Sequence, residues 1–241
     1  MSMAHLESQS LASSSTAAAP VEPATRPPEV VLDQHGHRLY RKFGKVAIDW
    51  IAGPILLLLS LPITALVALA VRVRLGSPVF YPQERVGLDG ATFRMYKFRT
   101  MQRDRREAEL PYAAPDRRTR HKTVDDPRHV PLGRFLRKHS LDELPQLLNV
   151  CKGDMSLVGP RPELPAVVAQ YEPWQHARHA VKPGVTGLWQ VSQQRNLGDG
   201  SLMYEHTDID IEYINHISLR TDLRIIRDTF RVVSDPGVGG E

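Results

Sequence analysis

At 241 residues the chain has room for one sizeable folded unit with tails, and not for two domains that each bury their own core. Lys and Arg number 31 against 27 Asp and Glu. The resulting net charge of +4 is too small an excess to argue for a nucleic-acid partner, and it suits an anionic ligand or a lipid surface. The single cysteine, Cys151, excludes an internal disulfide and a paired-cysteine zinc or redox site, so the default compartment is a reducing one.

Residues 1–28 are rich in Ala, Ser, Thr and Pro and hold few large apolar side chains. They cannot bury enough surface to offset the entropy of ordering, and a disordered leader is expected over 1–35. A signal peptide would place an apolar run close behind a basic start, whereas the first such run here begins near Val46.

From 46 to 71 the sequence reads VAIDWIAGPILLLLSLPITALVALAV, roughly 39 Å as a straight helix and enough to cross a hydrocarbon core of about 30 Å. Three features argue instead for a helix over 41–75 that enters and returns to one face. Arg38, Arg41, Lys42 and Lys45 precede the run and Arg72 and Arg74 follow it, which draws both ends to the cytoplasmic side. Pro62 lacks an N–H, and Ser60 can bond a freed carbonyl, so Ser60 and Pro62 mark a break in the membrane helix. Asp49 and Trp50 suit an interface better than a lipid interior. Gly53-Pro54 is a rival break point.

The stretch 78–101 carries two extended runs on either side of Asp89-Gly90, a dipeptide suited to a hairpin turn. Lys97 and Arg99 ride on that hairpin, either solvated or aimed at phosphates. Beyond it, 101–128 is crowded with arginines and broken by Pro111, Pro115 and Pro127, which predicts a mobile or surface-hugging segment.

The segment 132–165 holds the chemistry: LGRFLRKHSLDELPQLLNVCKGDMSLVGPRPELP. Ser140 and Glu143 have the spacing of a capping box, which predicts a helix through Leu144, Leu147, Leu148 and Val150 with Asp142 in its first turn. A second reading stands beside the cap. Two adjacent carboxylates near Arg134, Arg137, Lys138 and His139, at a helix start, also make a phosphate site. Pro145, in the second turn of that helix, would forfeit a hydrogen bond and hints at strain. Attack on a pyrophosphate needs a nucleophile, charge neutralisation and usually a divalent metal. Asp142 can supply the oxygen, Glu143 a hard ligand for Mg2+, and Arg161, between Pro160 and Pro162, a bidentate phosphate clamp. Near the C-terminus, Leu219, Leu223, Ile226, Phe230 and Val233 recur at helical spacing with arginines on the other faces. That helix either lies flat on an anionic surface or packs on the core.

Taken together, QERVG at 83–87, MYKFRTM at 95–101, LRKHSLDELPQLLNV at 136–150, KGDMSLVGPRP at 152–162 and KPGVTGLWQVS at 182–192 resemble the monotopic phosphoglycosyl transferases, the bacterial sugar transferase family. That family starts capsule, exopolysaccharide, O-antigen and glycoprotein glycans, and the match runs from about 41 to 233. The resemblance implies an α+β, mostly helical fold. It has a re-entrant membrane helix (41–75), a cytoplasmic catalytic domain (76–233) with a short β-hairpin and amphipathic interfacial helices, and a C-terminal tail (234–241). It also implies a catalytic dyad at Asp142 and Glu143: Asp142 attacks a UDP-sugar, releases UMP, and passes the sugar phosphate to undecaprenyl phosphate on the cytoplasmic face of the bacterial inner membrane. Glu143 would hold magnesium, and Lys97, Arg99, Arg137 and Arg161 would contact phosphate or nucleotide. Many members place Ser and Pro side by side in the membrane helix, whereas here Leu61 separates Ser60 from Pro62.

No phosphate-binding glycine loop, dinucleotide fingerprint or His-Glu-x-x-His zinc helix occurs, and His176 with His179 lacks further metal partners. Gln190, Arg195 and the loop through Gly200 are expected at the sugar pocket by position, while the roles of Tyr204, Asp208, Asp210 and Tyr213 are open. The membrane lipid is the expected surface partner, nucleic acid is not, and self-association into a homo-oligomer is left open. A membrane-bound pyrophosphate hydrolase and a non-catalytic scaffold are the competing readings.

Overall fold

A computed structural model describes residues 38–102, 130–192 and 207–234. The expected leader, the arginine-rich stretch from 103, Arg195, the loop through Gly200, Tyr204 and the tail beyond 234 lie outside the described residues. Among those described, the fold is mostly helical with two small sheets.

A π-helical turn, Tyr40–Gly44, leads into α1 (Lys45–Leu75), a helix long and apolar enough to cross a membrane. Leu58, Leu59, Leu66 and Leu69 lie bare along its middle, so this part of the helix is not covered by the described fold. Helical structure is unbroken through both Gly53-Pro54 and Ser60-Leu61-Pro62. Ser60 Oγ donates to the Leu57 carbonyl at 2.8 Å, next to the carbonyl that Pro62 leaves without its usual donor.

Both ends of α1 dock on the rest of the chain. Ile48, Ala52 and Leu57 join one apolar cluster, and Val67 and Val71 belong to another with Phe98 and Leu136. Asp49, expected at an interface, is instead buried: its Oδ1 accepts the Leu157 N–H at 2.9 Å, while Trp50 stays exposed.

The hairpin forms as read. β1 (Phe80–Val86) pairs antiparallel with β2 (Thr92–Phe98), and Asp89 and Gly90 both take positive φ, as a tight turn of this hand demands. β2 is covered on both faces. Met95 enters the larger cluster with Leu147, Val150, Met155, Val158, Ile211, Tyr213 and Ile225, while Phe98 enters the smaller one.

A second sheet, of β3 (Ser156–Val158) and β4 (Gly184–Thr186), is parallel and was not anticipated. Three-residue strands carry too little periodicity to announce themselves. They approach so closely that a Cβ on Gly184 would stand 2.0 Å from the Gly159 nitrogen, so the pairing requires glycine.

Helices α2 (Pro131–Lys138), α3 (Gln146–Lys152), α4 (Pro165–Val168), α5 (Leu188–Val191), α6 (Thr207–Asn215) and α7 (Leu219–Ser234) complete the described fold. Of the two expectations for the last helix, packing on the core is realised in part. Asp222 and Ile225 of α7 are buried, while Leu219, Leu223 and Phe230 face outward as an apolar stripe.

Candidate active site

The segment between α2 and α3 corrects the capping-box reading. Ser140 sits in the left-handed region at φ 53° and makes no side-chain cap. Residues Leu141–Glu143 form a single 3-10 turn, and α3 starts only after Pro145, which occupies the N-cap position. Pro145 therefore precedes the helix and costs it no hydrogen bond. The capping box fails because the Glu143 carboxylate turns away from Ser140. Its Oε1 accepts from Lys97 Nζ at 2.8 Å and from Arg161 Nη2 at 2.9 Å.

Each cation is held by its own element. Lys97 lies on β2 two residues after Met95, hence on the same face, so burial of Met95 turns Lys97 inward. Arg161 sits in a loop whose three carbonyls are individually fixed. Gly184 N donates to Pro160 O (2.9 Å), Arg178 Nη2 to Arg161 O (2.8 Å) and Arg85 Nη1 to Pro162 O (3.0 Å). Arg178 is buried, paired with Asp210 at 2.5 Å and bonded to the Tyr171 hydroxyl. Arg85 also bonds Gln83 Oε1 at 2.8 Å and approaches Glu163 Oε2 at 3.5 Å.

Asp142, adjacent to Glu143, is 8% exposed. Burial foremost, and then the neighbouring charge of Glu143, lifts its carboxyl above the usual aspartate range against the pull of Lys97 and Arg161. Burial alone would lift Glu143 as well, but Arg161 and Lys97 outweigh it and hold that carboxyl well below its ordinary range. Lys97 is lowered by burial, only partly offset by Glu143. Two adjacent acids are thus pushed apart in acidity, and of the two Asp142 takes up a proton first as pH falls.

Both cation contacts fall on Oε1 of Glu143. Glu143 Oε2 and the carboxylate of the adjacent Asp142 are hard oxygen donors. Such a pair fits magnesium, which takes one or two protein carboxylates and completes its shell with water and phosphate. No cluster of three or more His, Cys, Asp or Glu side chains occurs among the described residues, so the site does not resemble an all-protein cage for calcium or zinc.

Of the other expected ligands, Arg99 is placed elsewhere. Its guanidinium bonds the carbonyls of Leu75 (2.5 Å), Gly76 (2.7 Å) and Ser77 (3.4 Å), capping the C-terminal end of α1. Arg137 is half-buried in the last turn of α2, and Gln190 is buried in α5 beside Gly187. His176 and His179 gather around Tyr171, the latter stacked on it with 6.0 Å between ring centres. Sequence reasoning missed Arg85 and Arg178. Arg85 stood inside the quoted QERVG motif without a role. Arg178 carried no local signal, although its partner Asp210 had been noted.

A family model described as bacterial sugar transferase matches residues 40–236. The chain belongs to that family. The chain is 41% identical over 202 residues to the galactosyl transferase CpsE of Streptococcus agalactiae serotype III (strain NEM316), covering 83% of this chain and 43% of that protein. It is 43% identical over 166 residues to an uncharacterized sugar transferase, EpsL, of Bacillus subtilis (strain 168), covering 68% and 73%. With the UDP-glucose:undecaprenyl-phosphate glucose-1-phosphate transferase of Escherichia coli (strain K12) it shares 38% identity over 186 residues, covering 76% and 38%. The aligned part thus spans less than half the length of the first and third of these relatives.

Proposed function

We propose that this chain is a phosphoglycosyl transferase that moves a sugar 1-phosphate from a UDP-sugar to undecaprenyl phosphate, the opening step of a surface polysaccharide or glycan. The observation that carries the reading is the buried Asp142 beside a Glu143 carboxylate clamped by Lys97 and Arg161. The names of two relatives, which specify a galactosyl transfer and a glucose-1-phosphate transfer to undecaprenyl phosphate, support the class of donor and acceptor.

In the first half-reaction an Asp142 carboxylate oxygen attacks the β-phosphorus of the donor. The bond from that phosphorus to the bridging oxygen breaks, and UMP leaves with the electron pair. The product on the enzyme is a mixed anhydride of Asp142 and the sugar phosphate. In the second, an oxygen of undecaprenyl phosphate attacks the same phosphorus. The bond to Asp142 breaks, its carboxylate is restored, and a polyprenyl diphosphate sugar is released.

Arg161 and Lys97 are poised to trade Glu143 for phosphate oxygens and neutralise the charge that spreads over them. Partial exclusion of water at Asp142 strengthens those contacts and disfavours hydrolysis of the anhydride. Glu143, with Asp142, would hold magnesium, whose chemistry here is to neutralise and orient the donor pyrophosphate. The fixed Pro160–Pro162 carbonyls keep Arg161 in register with the acids, so that little reorganisation is needed when the donor enters.

Basic residues at both ends of α1, its lipid-suited middle and the docking of both its ends on one folded unit support a re-entrant helix, with the site on the cytoplasmic face of the inner membrane. The scaffold reading loses its basis, since Ser140 caps nothing.

The test is UMP release by full-length protein in detergent from UDP-glucose, UDP-galactose and their N-acetylated amino-sugar counterparts, with magnesium and undecaprenyl phosphate each supplied or omitted. Turnover is expected only with both, together with a sugar phosphate trapped on Asp142 when the lipid is withheld. Catalytic UMP release without lipid would identify a hydrolase and overturn the transferase.

A further inference from the structure

β3 is one strand of a two-stranded sheet, so one of its edges is open. On the paired side, Ser156 N donates to Pro183 O (2.8 Å) and Gly159 N to Thr186 O (2.9 Å). The groups facing the other way, the Leu157 N–H and the Val158 carbonyl, lie in the core and need partners from elsewhere.

The helix α1 supplies the first directly and reaches the second through a relay that includes α6 and α7. Asp49 Oδ1 accepts the Leu157 N–H directly at 2.9 Å. The Val158 carbonyl accepts from the Tyr213 hydroxyl at 3.2 Å, and Tyr213 also bonds Asp222 Oδ1 at 2.9 Å. Asp222 is held in turn by Lys45 at 2.8 Å and by the Tyr40 hydroxyl at 2.8 Å. Lys45 and Asp49 stand one helical turn apart on α1, so one face of that helix holds Leu157 directly through Asp49 and backs the Val158 contact indirectly, through Lys45, Asp222 and Tyr213. From Val158 the chain runs through Gly159 and Pro160 to Arg161, whose side chain binds Glu143. The carbonyl braces from Gly184, Arg178 and Arg85 act on the loop after the strand. The α1 braces act on the strand itself.

We propose that Asp49 is a positioning residue for Arg161: through the Leu157 amide it sets where β3 delivers the arginine, and so ties the seating of the membrane helix to the geometry of the phosphate site. The inference rests on the role given to Arg161 above. Asp49 touches no reacting atom. Its effect is to be read at the arginine.

The test is a double-mutant cycle on the full chain, with kcat for UMP release measured on the same four UDP-sugars with magnesium and undecaprenyl phosphate. The variants are Asp49→Ala and Arg161→Lys, singly and together. Asp49→Ala is expected to lower kcat by about tenfold or more when Arg161 is present and by less than about threefold beside Arg161→Lys, because a lysine no longer depends on the fork geometry that the strand sets. Asp49→Asn, which keeps an acceptor oxygen for Leu157, should retain kcat to within about threefold. An equal fold-loss in both backgrounds would make Asp49 a general stabilising contact and overturn the proposal, as would an unchanged kcat in Asp49→Ala. If Arg161→Lys alone leaves turnover intact, it is the role of Arg161 that fails, and the inference falls with it for that separate reason. Should Asp49→Ala not fold, Asp49→Leu, which fills the space and offers no acceptor to the Leu157 amide, takes its place, and the same cycle with Arg161→Lys decides by the same criterion.

Discussion

Two charge clusters in this molecule are built on opposite plans. At the base of the membrane helix, Asp222 receives one ammonium, from Lys45, and two hydroxyls, from Tyr40 and Tyr213; charge and hydrogen bonding close within the cluster. At the site, Glu143 receives two cations on a single oxygen, a further carboxylate stands beside it, and Glu143 is 18% exposed. The first arrangement asks nothing of an incoming group. The second gathers its cation contacts on one oxygen and leaves a further carboxylate beside it, which on the proposed function phosphate oxygens and a metal would complete. Closure suits a brace, and incompleteness suits a site.

That contrast can be broken most forcefully at Asp142. Asp142→Asn preserves shape and removes the carboxylate that the proposed mechanism uses as nucleophile, so UMP release should fall on the order of a thousandfold or more while the melting profile stays near that of the native chain. A variant retaining a tenth of the activity would remove Asp142 from the reaction.

Next in size, Asp222→Ala should cost about 3–5 kcal/mol of stability, because it leaves the Lys45 ammonium buried without a counter-charge. Denaturation in detergent reads this. Replacing both partners, as Lys45→Met with Asp222→Leu, should recover most of the loss, since an apolar pair restores a consistent interior. If the single variant loses less than about 1 kcal/mol, the cluster is not the closed brace described.

The site responds to pH in a defined direction. Lys97 is among the charges that pull the Asp142 carboxyl downward. Removing it in Lys97→Met raises the pKa of Asp142 further, so the acid limb of the pH profile of UMP release should move to higher pH. A limb that stays put, or moves down, would separate Lys97 from Asp142. The same charges act on stability through Glu143. Its carboxyl is depressed in the folded state, so its contribution is present above the ordinary glutamate value of about 4.3 and fades as pH falls below it. Glu143→Gln should flatten that part of the stability profile.

The smallest effect belongs to Ser60→Ala, which deletes the bond to the Leu57 carbonyl and should cost about 1 kcal/mol or less. A large loss there would mean that Ser60 governs the course of α1.

How much of this was legible in advance follows the range of the interactions involved. The apolar run of α1, the Asp89-Gly90 turn with its two strands and the amphipathic α7 are local patterns, and each appears where periodicity and turn chemistry put it. The Asp142-Glu143 pair was visible as adjacent acids in a basic neighbourhood. Its capping box was misread because a three-residue spacing is blind to the left-handed turn at Ser140 and to the distant cations that Glu143 meets. Lys97 and Arg99 looked equivalent, two residues apart on one strand end. Docking sent one to Glu143 and the other to the carbonyls that end α1.

By itself, then, the amino-acid sequence determined the membrane helix, the hairpin, the acids and the family motifs, because those are set within a few turns of chain. Only the tertiary structure decided that Lys97 reaches Glu143, that Arg85 and Arg178 fix the loop of Arg161, and that Asp49 secures β3. Asp49 and Leu157 are 108 positions apart. A contact at that separation exists only when several elements have packed, and no local pattern along the chain carries its signature.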